Sequence, residues 1–359
     1  MRPIAPLLFI LLLAGTAEPL GAQAPPGPSA APALSMQAAV AAGGRVPVRT
    51  VARPVATPGQ VLVKLRFAGV NPADWKAASG RPEQPEPAGA AASAAANIAD
   101  EDTAAGPARG AIPGVDGSGI IVALGAGVHD CRIGEPVILW SAARGTYAQY
   151  VVVAAGALVR KPAALSYEQA AGLAHAGLAA WNMLVQSAHV RPGEHVLVLG
   201  GAGGVGSAAV QIARNEGAHV TATGSGRNAA YLRSLGAEQV IDYTREHFEE
   251  QVRDADIVVN TVDADDAYRG LAVLRRGGFL VSVNGLPRPE QCAARGVHCV
   301  ARTLGAPVGP VLRQLAEWSR TGRFTVNIDR VFELSEVVKA WGYSQAGRTR
   351  GKSVIRIGD

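Results

Sequence analysis

His195-Val196-Leu197-Val198-Leu199-Gly200-Gly201-Ala202-Gly203-Gly204-Val205-Gly206-Ser207-Ala208-Ala209-Val210-Gln211-Ile212-Ala213-Arg214 reads as three consecutive pieces of structure. An apolar run of strand length is followed by a glycine cluster and then by apolar residues at helical spacing. Glycines at 201, 203 and 206 let the backbone turn sharply and approach a pyrophosphate, with the N-terminal N–H groups of the helix pointing at it. A glycine turn alone is a weak signal. Between a buried-type strand and a helix it has the context that a dinucleotide site requires. The stretch therefore predicts a nucleotide-cofactor cradle made of Gly201, Ala202, Gly203, Gly204, Val205 and Gly206.

Downstream, apolar strands alternate with helical patterns: His219–Thr223, Gln239–Asp242, Ile257–Asn260 and Gly278–Val283. Such alternation predicts a doubly wound parallel sheet, an α/β fold. Upstream the pattern changes. Gln60–Ala68 reads as a strand ended by Asn71-Pro72, and short strands joined by glycine turns run from Pro113 to Val153, which suits a compact antiparallel β-rich domain. A helix at Val311–Trp318 and a strand at Ser353–Ile357 are placed so that they can return to that first domain. From Arg81 to Arg109 the chain is Ala, Pro, Gly and acidic residues with almost no large apolar side chain, and it reads as a surface insertion.

The chain has 359 residues, enough for two domains with sizeable cores, and its 43 glycines and 5% aromatic content suit an α/β protein. A net charge of +5 comes from scattered arginines with no basic block, so no nucleic-acid partner is expected. Three cysteines, Cys131, Cys292 and Cys299, form neither a CxxC pair nor a disulfide-dense framework, and they say little about redox compartment. At the N-terminus, Arg2, the apolar run Leu7–Leu13 and Ala22-Gln23-Ala24 resemble a secretory signal peptide over 1–24, followed by a Pro/Ala-rich leader over 25–35. That reading implies export to the periplasm or beyond, with no membrane span once the signal is removed. The competing reading is a translation start at Met36 and a cytoplasmic protein.

Cofactor choice is read at the end of the second parallel strand, where an Asp or Glu would bind the ribose 2′-hydroxyl of NAD. This chain has Thr223-Gly224-Ser225-Gly226-Arg227-Asn228 there. With no acid in that segment, and Ser225 and Arg227 able to hydrogen-bond a phosphate, NADP is the expected cofactor.

The ordered set Gly69-Val70-Asn71-Pro72-Ala73-Asp74-Trp75-Lys76, Pro113–Gly119, Gly200–Ser207, Ser234–Ala237 with Ile241-Asp242-Tyr243, and Arg350-Gly351-Lys352-Ser353-Val354 resembles the zinc-independent quinone oxidoreductase, or zeta-crystallin-like, branch of the medium-chain dehydrogenase/reductase superfamily. The resemblance implies a GroES-like catalytic domain over 36–172 carrying the 81–109 insertion, a Rossmann domain over 173–302, and a C-terminal return to the catalytic domain over 303–359. It implies NADPH-dependent reduction of a quinone or an α,β-unsaturated carbonyl by a homodimer. Asn71 is then the candidate catalytic contact near nicotinamide or substrate, with an Asx turn before Pro72 as the alternative. Tyr243 joins the cofactor site, and Lys352 reaches either cofactor or solvent. Tyr147 and His175 are expected to pack in the core. Zinc-dependent relatives place a Cys where this chain has Asn71 and a His-Glu pair where it has Val115-Asp116, and their second zinc needs four cysteines, so no metal is expected. Two departures limit the likeness: Ala179 stands where relatives commonly carry Thr, and the 81–109 segment is long. A non-catalytic NADP-binding protein of the same fold and an enoyl-thioester reductase are the alternatives.

Overall fold

The structure is a computed structural model and describes residues 34–42, 45–78, 112–301 and 305–358. The signal-peptide reading, nearly all of the leader and the 81–109 insertion lie outside the described residues. Among the described residues no helix is long and apolar enough to cross a membrane.

The five predicted strands of the central region, β8 (His195–Leu199), β9 (His219–Gly224), β10 (Gln239–Asp242), β11 (Ala255–Asn260) and β12 (Leu274–Ser282), form one six-stranded sheet with β13 (His298–Ala301), which the sequence reading did not include. All its pairings are parallel, in the order β10-β9-β8-β11-β12-β13. Val196–Leu199 and Ile257–Asn260 are buried, as the unbroken apolar runs of a sheet covered on both faces require. Chain order reverses direction between β8 and β11, which opens a crevice beyond their carboxyl ends, the place where such sheets bind ligands.

The second sheet is assembled from both sides of this region. It contains β3 (Gln60–Gly69), β4 (Asp116–Leu124), β5 (Pro136–Trp140), β6 (Tyr150–Ala154) and β7 (Leu158–Arg160), then β14 (Ile328–Glu333) and β15 (Lys352–Arg356). The first strand pair, β1 (Ser35–Ala39) with β2 (Val48–Ala52), is a separate antiparallel ribbon. β15 lies between β14, parallel to it, and β3, antiparallel to it. That insertion brings the C-terminal Lys352 beside Val70 and Asn71, with the Val70 N–H donating to the Ser353 carbonyl at 3.0 Å.

Between the two sheets runs the helix Tyr167–Trp181, started by a capping box in which Ser166 and Gln169 satisfy each other's backbone N–H groups. Its buried residues are mostly Ala and Gly because it packs against β3, β4 and β5 as well as against the helices Gly204–Asn215 and Val308–Arg320. A Cβ on Gly177 would lie 2.4 Å from the Leu315 side chain. This close approach fixes the helix, and with it one wall of the crevice.

Candidate active site

The crevice is a cleft of about 1530 Å³ running from the glycine turn to the loop that follows β3. Gly200 makes the turn at φ +77°, where a side chain would be strained and would also strike the Thr261 hydroxyl. Two threonines lock the turn: Thr223 Oγ1 accepts from the Gly200 N–H at 3.0 Å, and Thr261 Oγ1 donates to the Leu199 carbonyl at 2.7 Å. Gly206 is required for packing, since a Cβ there would lie 2.2 Å from the Gly200 carbonyl oxygen. At Gly203 the nearest atom to an added Cβ is 3.6 Å away, so that face of the turn is open. The helix Gly204–Asn215 begins there with no side-chain cap, leaving first-turn N–H groups for a ligand. These features fit a pyrophosphate.

Farther along the cleft, Ser225, Arg227 and Tyr243 line the wall. Arg227 is exposed and its guanidinium donates to the Arg348 carbonyl at 3.4 Å, while the Asn228 amide donates to Ser225 Oγ at 3.2 Å. The fold adds an acid that the sequence segment lacks. Asp242, at the end of β10, lies against the same turn, with Oδ2 2.5 Å from where a Gly226 Cβ would be. Hydrogen bonds from the Thr244 hydroxyl and N–H hold its carboxyl below the usual range. The segment 223–228 is thus free of acids in sequence but not in space.

At the other end, five polar side chains from three elements and two loops are buried together. Asn71 Nδ2 donates to Asp116 Oδ1 at 2.7 Å, and Asn71 Oδ1 accepts from the Lys352 ammonium, which also donates to the Val70 carbonyl at 2.9 Å. Asp116 Oδ2 accepts the His175 main-chain N–H at 3.0 Å. Asp74 Oδ2 accepts the Asn71 N–H and the Tyr147 hydroxyl, each at 2.8 Å. Its other oxygen, Oδ1, is buried without a partner. Burial, reinforced by the charge of Asp116, pushes the Asp74 carboxyl up to about 7. Burial also raises Asp116, against the pull of Lys352, and lowers Lys352, against the pull of Asp116 and Asp74. Tyr147 is raised by burial and by Asp74, so its hydroxyl stays a donor.

Comparison with known proteins follows the same division of the chain. Residues 57–163 match the model of the alcohol dehydrogenase GroES-like domain, 170–267 that of the alanine dehydrogenase/PNT C-terminal domain, and 235–355 that of zinc-binding dehydrogenases. A 2-methylene-furan-3-one reductase of Solanum lycopersicum is 30% identical over 85% of this chain and 74% of its own length. The chain belongs to the quinone oxidoreductase-like branch of the medium-chain dehydrogenase/reductase superfamily. An NADPH-dependent alkenal/one oxidoreductase of Arabidopsis thaliana is 29% identical over 82% of this chain and 72% of its own. The structure of a quinone oxidoreductase from Coxiella burnetii superposes with a TM-score of 0.75 at 28% identity, over 90% of this chain and all of that one. The protein is accordingly an oxidoreductase of this superfamily, with a GroES-like β-rich domain and a Rossmann-like parallel sheet.

Within this reductase-type cleft the predicted residues divide. Ala202, Gly203, Gly204, Val205, Ser225, Arg227, Tyr243, Lys352 and Asn71 all border it, whereas Gly201 and Gly206 serve as packing positions behind the turn. Asn71 forms no Asx turn: its amide is held by Asp116 and Lys352. The Lys352 side chain borders the cleft, and its ammonium donates to Val70 O and Asn71 Oδ1. Tyr147 is fully buried as expected but uses its hydroxyl on Asp74, and His175 is half-buried on the cleft wall rather than in the core. The residue that sequence reading passed over is Asp116. Its signal was present: an acid in a buried-type strand between Val115 and Gly117 needs a partner, and a lysine opening another apolar strand supplies the charge.

Proposed function

We propose that this protein reduces quinones or α,β-unsaturated carbonyl compounds with NADPH and without a catalytic metal. The observation that carries the reading is that the glycine cradle and the buried Asn71–Lys352–Asp116 group open onto one cleft at the switch point of the parallel sheet. NADPH, when bound, supplies the hydride. Gly203, Gly204 and Val205 would hold its pyrophosphate by backbone N–H groups, and Ser225, Arg227 and Tyr243 its adenosine end, with Arg227 offering a charged donor to a 2′-phosphate.

The residues at the other end do not suit a metal ion. The positions that carry Cys and His-Glu in zinc-dependent relatives hold an amide and a valine-aspartate pair here. The amide already lies against an ammonium, so a second cation would meet like charge. A substrate carbonyl must then be polarised by hydrogen-bond donors and a fixed charge, which suits conjugate reduction, where the carbonyl oxygen gains negative charge as the β-carbon is reduced. Ala176 and Ala179, with the half-buried His175, give the cleft a small-side-chain wall beside that point. The reading is tested by titrating the protein with NADPH and NADH and then supplying a panel of quinones and enones. Tighter binding of NADPH with its consumption on at least one member is expected; binding without consumption on any member would favour the non-catalytic reading.

A further inference from the structure

Lys352 is a buried cation whose charge no carboxylate cancels directly. Burying an ammonium costs several kcal/mol unless partners compensate. Among the described residues no salt bridge joins Lys352 to an acid, and Asp116 reaches it only through the Asn71 amide. The ammonium spends two of its three N–H donors, on Val70 O and Asn71 Oδ1. The route of its stem is also specific. A Cβ on Gly172 would lie 3.1 Å from Lys352 Cβ, and one on Gly204 would lie 2.8 Å from Lys352 Cδ. The side chain therefore threads between the helix Tyr167–Trp181 and the first turn of the helix Gly204–Asn215, two places where an added Cβ would crowd it. It emerges between the nucleotide cradle and Asn71, on the border of the cleft.

A direct ion pair would consume that charge. An interposed amide orients the ammonium and leaves its field and third donor available. We propose that Lys352 is a catalytic residue that binds the substrate's carbonyl oxygen as it becomes an oxyanion, and that Asp116 is a positioning residue acting through Asn71. This rests on the reductase reading. No atom is transferred to or from the lysine: it donates a hydrogen bond and an electrostatic field, strengthened by the dry surroundings. The groups that set its charge state are Asp116 from β4 and Asp74 from the helix Pro72–Ala78; Tyr147 donates to Asp74, and His175 to Asp116 through its main chain. Both acids favour the charged lysine, while burial opposes it.

The test uses a nitrophenol as an oxyanion probe, because its phenol and phenolate forms absorb differently, with the full chain and with NADPH affinity measured in parallel. The wild type is expected to bind the phenolate in preference to the phenol. In Lys352→Met the phenolate affinity should fall roughly 10- to 100-fold, the span of a lost charged hydrogen bond, with NADPH affinity within about threefold of the wild type. In Asp116→Asn the alkaline limb of phenolate binding should move to lower pH, since the acid that helps keep Lys352 protonated is gone. Lys352→Arg, which keeps the charge, should retain most of the phenolate affinity. Unchanged phenolate binding in Lys352→Met would overturn the proposal, and so would parallel loss of NADPH and phenolate, which would place Lys352 on the cofactor. Should Lys352→Met not fold, an unshifted alkaline limb in Asp116→Asn overturns it. Failure of the wild type to bind NADPH would count against the reductase reading instead.

Discussion

Asp74 keeps a carboxyl where it has one unpartnered oxygen and no water-facing surface, and this makes it a pH-dependent liability. Its carboxyl sits at about 7 in the folded chain against 3.8 for an unperturbed aspartate, so between those values the folded state binds more protons than the unfolded state. Stability from this group is therefore complete below about 3.8 and is lost as pH rises through about 7. Asp74→Asn keeps the shape and removes the charge. Relative to the wild type it should gain stability at pH 8 compared with pH 5, read as a difference in urea midpoints; an equal offset at both values would contradict the raised carboxyl. Arg227 makes a second single-residue prediction. Arg227→Ala should weaken NADPH binding by roughly 10- to 100-fold and leave NADH binding nearly unchanged, as measured by titration, because only NADPH carries the phosphate that the guanidinium would meet.

The element that reads most directly from sequence is β8, its turn and the helix Gly204–Asn215, because three constraints coincide there: an apolar strand, glycines where the backbone crowds, and a helical repeat. Gly206→Ala should abolish NADPH binding and cost on the order of 1–3 kcal/mol in unfolding free energy, since its Cβ has no space beside the Gly200 carbonyl. A calorimetric scan together with a titration would check both. The buried polar group was only partly legible. Asn71 stood out beside Pro72, but its side-chain partners Asp116 and Lys352 come from β4 and β15, and no local spacing links residues 71, 116 and 352. The cysteines were likewise uninformative in sequence. Cys292 and Cys299 form a disulfide that ties the helix Pro289–Arg295 to β13, the edge strand of the parallel sheet. Seven residues apart, they match no metal or redox spacing, and only the αL turn at Gly296 brings them together. Replacing both by serine should lower unfolding free energy by roughly 2–3 kcal/mol, the loop-closure contribution for so short a loop, as read by denaturant titration.

At the scale of the whole molecule, the alternation of strands and helices was enough to place the parallel sheet, and the turn-rich pattern upstream to place the second. What the sequence does not display is how tightly the two are interleaved. β15 enters the second sheet beside β3, and the small-residue helix Tyr167–Trp181 packs between that sheet and the helix Gly204–Asn215, so that one cleft is lined by residues 70–73, 75–76, 175–176, 179, 200, 202–205 and 351–353. The reach of Asp242 to the Gly226 turn is of the same kind: it depends on the parallel pairing of β10 with β9, not on neighbours in sequence. The proposed function follows from this convergence, since a nucleotide held on the glycine turn would have its reacting end directed toward Asn71 and Lys352. Isotope transfer tests that arrangement. When the full chain is given NADPH carrying deuterium at both C4 positions of the nicotinamide together with an α,β-unsaturated ketone, the saturated product should carry deuterium at its β-carbon. A saturated product without deuterium, or no product while NADPH is bound, would contradict it.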